Sequence, residues 1–115
     1  MNVLNAMEPP VDELLFDLHA DGDRGTLSLC GVLDAVNVPA IRPTLDRIVA
    51  SDVQLVVVDM SGLQMIDSSG IAVIVSLFKR TRARGGTVHV TGLRDQPRAI
   101  FELLHLDRLL QAKAS

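Results

Sequence analysis

The sequence predicts an α/β domain built on one mixed sheet of four to five strands with helices packed against it. Three observations carry that expectation. Val53-Gln54-Leu55-Val56-Val57-Val58-Asp59-Met60 is a short β-branched run of the kind that parallel sheets bury on both faces. An apolar segment of helical character, 71–78, follows it, with small polar residues ahead, bases in its last turn and Gly85-Gly86 beyond. Strand-like and helix-like segments alternate elsewhere in the order β-β-α-β-α-β-α, and strand–helix–strand units connect by right-handed crossovers.

The totals fit one such domain. At 115 residues, with 48% hydrophobic and 22% charged residues, the chain is an ordinary globular one with room for one core. Residues 1–11, which include Pro9-Pro10 and show no periodicity, read as a flexible leader, 12–112 as the domain and 113–115 as a tail. A net charge of −3 argues against nucleic acid or an anionic membrane as partner. No apolar run reaches membrane-spanning length, no basic and apolar leader opens the sequence, and the single Cys30 excludes an internal disulfide. The expected location is the cytoplasm.

In chain order, residues 14–18 read as a strand. Asp21-Gly22-Asp23-Arg24-Gly25 is turn chemistry and 26–33 a second strand, so the pair forms an antiparallel hairpin. The Asp-Gly-Asp run lacks the ligand spacing of a calcium loop. Ile41, Leu45, Ile48 and Val49 fall at helical spacing within 38–50, with Asn37 as N-cap. Pro39 suits a first turn, but Pro43 predicts an irregular or late start, because an interior proline deletes a hydrogen bond. Residues 53–59 form the central strand, 60–66 a loop, 69–84 the long helix and 87–91 the fourth strand. A helix follows, capped by Asp95 with Pro97 in its first turn, and 106–110 is a short apolar segment that packs back on the core. If strands two to four are adjacent, their crossover helices share one sheet face. Thr26, Ser28 and Cys30 then suit a half-exposed strand, whereas the unbroken Val56-Val57-Val58 does not; the pattern leaves this open.

Asp67-Ser68-Ser69-Gly70 stands where the buried strand hands over to the long helix. This places two hydroxyls at a helix N-terminus on the carboxyl edge of a parallel strand, where open α/β sheets build sites and where unpaired amides favour an anion. Read alone, Ser68 and Ser69 are helix caps or phosphate acceptors, and Asp67 is a turn residue or one that shapes the loop. Ile71, Ile74, Val75 and Phe78 make one core stripe. Ala72, Val73 and Ser76 are then either further core of a fully buried helix or a small contact surface beside Ser68. Lys79, Arg80, Arg82 and Arg84 read as dipole partners in solvent or as attraction for an acidic partner. The sequence lacks a Gly-rich phosphate loop with lysine, a metal-spaced histidine pair and a Gly-x-Ser-x-Gly elbow. His19, His89 and His105 are scattered, so neither an enzyme nor a cofactor or metal site is expected.

From 14 to 110 the chain closely resembles the STAS family, named for sulfate transporters and anti-sigma factor antagonists. The resemblance is carried by Gly31-Val32-Leu33-Asp34, by Val56-Val57-Val58-Asp59-Met60-Ser61-Gly62-Leu63 and by Ile66-Asp67-Ser68-Ser69-Gly70-Ile71. Arg84-Gly85-Gly86 and Leu106-Asp107-Arg108-Leu109-Leu110 add to it. It implies a phosphoregulated anti-sigma factor antagonist. Unphosphorylated, such a domain binds an anti-sigma factor, itself an ATP-dependent serine kinase of histidine-kinase-like fold, and frees the sigma factor or an equivalent target. Phosphorylation ends the binding and a PP2C-type phosphatase resets it. The acceptor maps onto Ser68, with Ser69 as the alternate and Asp67 to Gly70 as the switch loop. In the contact-surface reading of the helix, Ala72, Val73 and Ser76, together with Asp34, face the partner. Val32 replaces the family's usual glutamate, and His105 stands where relatives commonly have a helix-ending glycine; histidine can enter the left-handed region, at some cost. The competing expectation is a constitutive STAS subunit of a lipid-transport ABC complex, whose members often lack a clean Asp-Ser-Ser-Gly.

Overall fold

A computed structural model describes residues 12–110 and the backbone of 113–114; the expected leader, 1–11, lies outside the described residues. The hairpin forms as expected and runs longer. β1 (Leu14–Asp21) pairs antiparallel with β2 (Arg24–Leu33) through the two-residue turn Gly22-Asp23. Gly22 alone of the turn pair has a positive φ, 60°, the pattern of a type II′ hairpin turn that matches strand twist.

Then α1 (Val38–Ala50), β3 (Leu55–Ile66), α2 (Ser68–Ala83), β4 (Thr87–Leu93), α3 (Asp95–Leu103), α4 (Leu106–Leu109) and β5 (Lys113–Ala114) follow. The sheet order is β1-β2-β3-β4-β5, with every pair after the first parallel. Lys113 and Ala114 extend the sheet past the expected boundary at 112, because parallel pairing to β4 takes up part of what read as a tail.

Consecutive parallel strands with right-handed crossovers put their helices on one face. The core agrees: Leu27, Leu29, Val56, Val58, Val88 and Val90 cluster with Ile41, Leu45, Ile74, Leu77 and Phe101 from the helices. The valine run is thereby explained. Val56 and Val58 point under the helices, while Val57 lies in a row with Thr26 and His89 on the opposite face.

Three local expectations change. α1 is regular from Val38 and carries Pro43 inside it. The carbonyl that Pro43 cannot pair belongs to Pro39, and both prolines lie on the exposed side of α1, where solvent can supply the missing donor. Residues 60–66 are not a loop but the second half of β3, which slips register against β2 after Ser28 and again after Gly31. Only the Leu55–Asp59 half also pairs with β4. Beyond it, the Gln96 side chain stands in for a strand at the end of β3, accepting from Ile66 N and donating to Ile66 O, both at 2.9 Å. Asp95 is accordingly the first residue of α3 with φ 51°, and the cap position falls to Arg94, which makes no side-chain cap bond. His105 adopts the left-handed conformation, φ 59° and ψ 24°, and Leu110 beyond α4 is fully buried.

Candidate functional site

The parallel strands β2 and β3 end side by side at Leu33 and Ile66, and the chain leaves each on the carboxyl edge of the sheet. Asp67 follows at once. Its backbone is extended (φ −104°, ψ −173°), and its Oδ1 accepts from Gly70 N at 2.9 Å. That is N-cap geometry, so Asp67 caps α2 and the two serines do not. Ser68 and Ser69 instead occupy the first two helical positions, Ser68 exposed and Ser69 half-buried. Among the described residues neither serine's amide has an acceptor, and both lie at the positive end of a sixteen-residue helix.

The same aspartate ties a second loop to the switch. Asp67 Oδ2 accepts from Ala35 N at 3.2 Å, and Asp67 N donates to Leu33 O at 3.2 Å. Asp34 is half-buried and initiates α1: its Oδ1 accepts from Asn37 N at 3.0 Å and its carbonyl from Val38 N at 2.9 Å. Asn37, at the cap position, makes no capping bond and reaches back to Val32 O at 3.1 Å. Loop and switch are therefore one hydrogen-bonded unit. Val36, 83% exposed, and Met65, 52% exposed, present apolar side chains from its two segments. Neither was singled out from the sequence, where a lone valine in a turn and a methionine in an expected loop give no signal. Replacing Asp67 by alanine removes both of its side-chain bonds and is expected to cost about 1–2 kcal/mol. Urea unfolding measures this; a loss under about 0.3 kcal/mol would show that the clamp contributes nothing.

Gly70 packs without room, as an added Cβ would lie 2.5 Å from Leu33 O and 2.7 Å from Ile66 Cγ1. Along the outer side of α2 a groove of ≈570 Å³ runs from Ser68 past Ala72, Val75 and Ser76 to Lys79. Its members recur at three- and four-residue intervals, the spacing of one helical face. Ala72 and Ser76 line this groove. Val73 does not: only 7% exposed, it packs in the core beside Ile74, and the half-exposed Val75 takes its place on the surface.

The basic residues are mostly engaged. Arg80 pairs with Asp46 of α1 at 2.9 Å, Arg82 lies over the Phe78 ring at 5.9 Å, and Arg84 donates to Ile48 O at 3.2 Å. Cys30 is buried, and burial pushes its thiol above the usual range against the opposing pull of Arg94. His19 and His89 share a row on the sheet face away from the helices, and His105 lies between α3 and α4.

A family model of the STAS domain matches residues 16–115. The chain belongs to the STAS domain family. The anti-sigma-B factor antagonist of Listeria monocytogenes is 26% identical over 93 residues, which are 81% of this chain and 82% of that protein. Among solved structures, an anti-sigma factor antagonist from Mycobacterium paratuberculosis superposes with a TM-score of 0.83 at 19% identity, covering 93% of this STAS domain and 91% of that chain. The Bacillus cell fate determinant SpoIIAA in its phosphorylated form gives 0.72 at 20% identity over 88% of this chain and 92% of that one. At such identities the structural likeness speaks to the fold. No helix of the described residues is long and apolar enough to cross a membrane.

Proposed function

We propose that this STAS domain is a phosphoregulated anti-sigma factor antagonist. Its unphosphorylated form binds an anti-sigma factor that is also an ATP-dependent serine kinase of histidine-kinase-like fold, releasing the sigma factor or an equivalent target. Phosphorylation of Ser68 ends that binding, and a PP2C-type phosphatase restores it. The domain acts in the cytoplasm as substrate and binder, with no cofactor and no chemistry of its own.

One observation carries the reading. Ser68 is exposed at the first position of a helix whose cap is supplied by its neighbour, so its hydroxyl is free of structural duty. The Listeria relative's designation and the phosphorylated state of SpoIIAA on this fold support it. A phosphate adds about −1.5 to −2 charges. Inside the free domain the open amides and the dipole of α2 tolerate it. Against a partner seated on the Ser68–Ser76 groove, the same group introduces bulk and a charge that must be desolvated. Release then needs no refolding.

The test is incubation with the cognate kinase and ATP, followed by mapping of the phosphate. Ser68→Ala is expected to abolish incorporation and leave a constitutive binder, while Ser69→Ala keeps acceptor function. Ser68→Asp should weaken binding with little change in melting temperature, since an acid in the first turn is favourable by up to about 1 kcal/mol. Phosphate found solely on Ser69 would overturn the assignment.

A further inference from the structure

The far end of α1 from the switch encloses a second candidate site. On the helix-facing side of the hairpin, β1 and β2 pair Leu18 with Leu27, and one step nearer the turn they pair Ala20 with Gly25. Side-chain bulk there falls from two leucines to a single methyl group. Ile48 from the last turns of α1 and Val53 from the chain beyond it roof the gap, leaving a cavity of ≈150 Å³. Gly25 on the floor and Ile48 in the roof are buried, Leu18 and Val53 are half-buried, and Ala20 and Arg47 are exposed and mark its mouth. The hollow opens to solvent between Ala20 and Arg47, and its volume is about that of a benzene-sized guest.

The polar groups at the mouth differ in what they have left to offer. Ser51, also on the lining, is committed: its hydroxyl donates to Ile48 O at 2.7 Å and accepts from Val53 N at 3.3 Å. The Arg47 guanidinium makes one long contact, to Thr44 Oγ1 at 3.4 Å, and has no carboxylate partner among the described residues. An unpaired guanidinium at the mouth of a mostly aliphatic pocket matches a ligand with a compact apolar body and one carboxylate, which Arg can hold through two parallel N–H bonds. We propose that this cavity binds a small apolar carboxylate of about the size of benzoate, its body among Leu18, Ile48 and Val53 and its carboxylate on Arg47. The site shares no residue with the Ser68 groove and stands independently of the switch.

Amide chemical shifts of the full chain, titrated with sodium benzoate and with benzyl alcohol as the neutral control at constant ionic strength, test it. Saturable shifts are expected at Leu18, Gly25, Ile48 and Val53, with benzoate binding at least about fivefold tighter than benzyl alcohol. Arg47→Gln, on the surface, should bring benzoate down to the affinity of benzyl alcohol. Ala20→Leu should fill the cavity and abolish both; if that variant does not fold, the Arg47→Gln comparison decides alone. The proposal fails if no saturable shift arises at these amides by about 20 mM, a binding free energy near −2.3 kcal/mol. It fails equally if benzoate and benzyl alcohol bind alike, or if Arg47→Gln leaves benzoate unchanged.

Discussion

Gly70→Ala is expected to destabilise the domain by about 3 kcal/mol, although alanine is the better helix former by up to about 1 kcal/mol. The two effects have opposite signs, so the result discriminates between them. Gly70 is the third residue of α2, where propensity alone favours the methyl group. That methyl would sit 2.5 Å from Leu33 O, 2.7 Å from Ile66 Cγ1 and 2.9 Å from Leu33 Cγ. Leu33 and Ile66 are fully buried, and Leu33 O is also the acceptor for Asp67 N. The nearest obstacle is backbone, which cannot rotate away as a side chain can. Either the start of α2 lifts or the end of β2 is displaced, and both movements strain the Asp67 clamp. Gly70→Val adds two further methyl groups and should cost more than Gly70→Ala. Urea denaturation gives the sign directly: a midpoint equal to or above that of the parent would mean that the helix start relaxes freely and that this contact does not position the switch.

The glycine itself is legible in the sequence, because Asp67-Ser68-Ser69-Gly70 carries the handover from strand to helix in four residues. The division of labour inside it was not. Aspartate and serine are both good caps, and only the extended backbone of Asp67 assigns the role and leaves Ser68 free. The hairpin, α1, α2 and β4 were legible because their signals are local: turn residues, alternation and helical spacing. The second half of β3 was not, since Ser61-Gly62 reads as a break and the bonds that make it a strand come from β2 and from Gln96, thirty residues away. Nothing in Asp95-Gln96-Pro97 announces a side chain that imitates a strand edge. Pro43 misled for a related reason. Its cost depends on whether the orphaned carbonyl meets water, which is a property of the packed helix and not of the sequence.

Val73 shows the same limit on α2, and it supports the sharpest separation of stability from binding. Val73→Glu is expected to destabilise the domain by about 3–5 kcal/mol, because it buries an unpaired carboxylate beside Ile74 and Leu77. Ala72→Glu, one residue away, is expected to change stability by less than about 0.5 kcal/mol, since Ala72 is exposed in the groove. Adjacent helical residues point about 100° apart, so Val73 falls at the margin of the buried arc and Ala72 on the opposite side. The hydrophobic pattern alone allows either residue to be surface, as the helix is apolar nearly all round. If the Ser68 groove receives the kinase, Ala72→Glu and Ser76→Glu should each weaken its binding more than tenfold, about 1.4 kcal/mol, with melting temperatures near the parent's. The charge is harmless in water and costly once desolvated against the partner. Calorimetric binding and thermal unfolding on the same three variants separate the cases. Full-strength binding by a folded Ala72→Glu domain would move the docking surface off this face of α2, toward the exposed Val36 and Met65 on the other side of the switch.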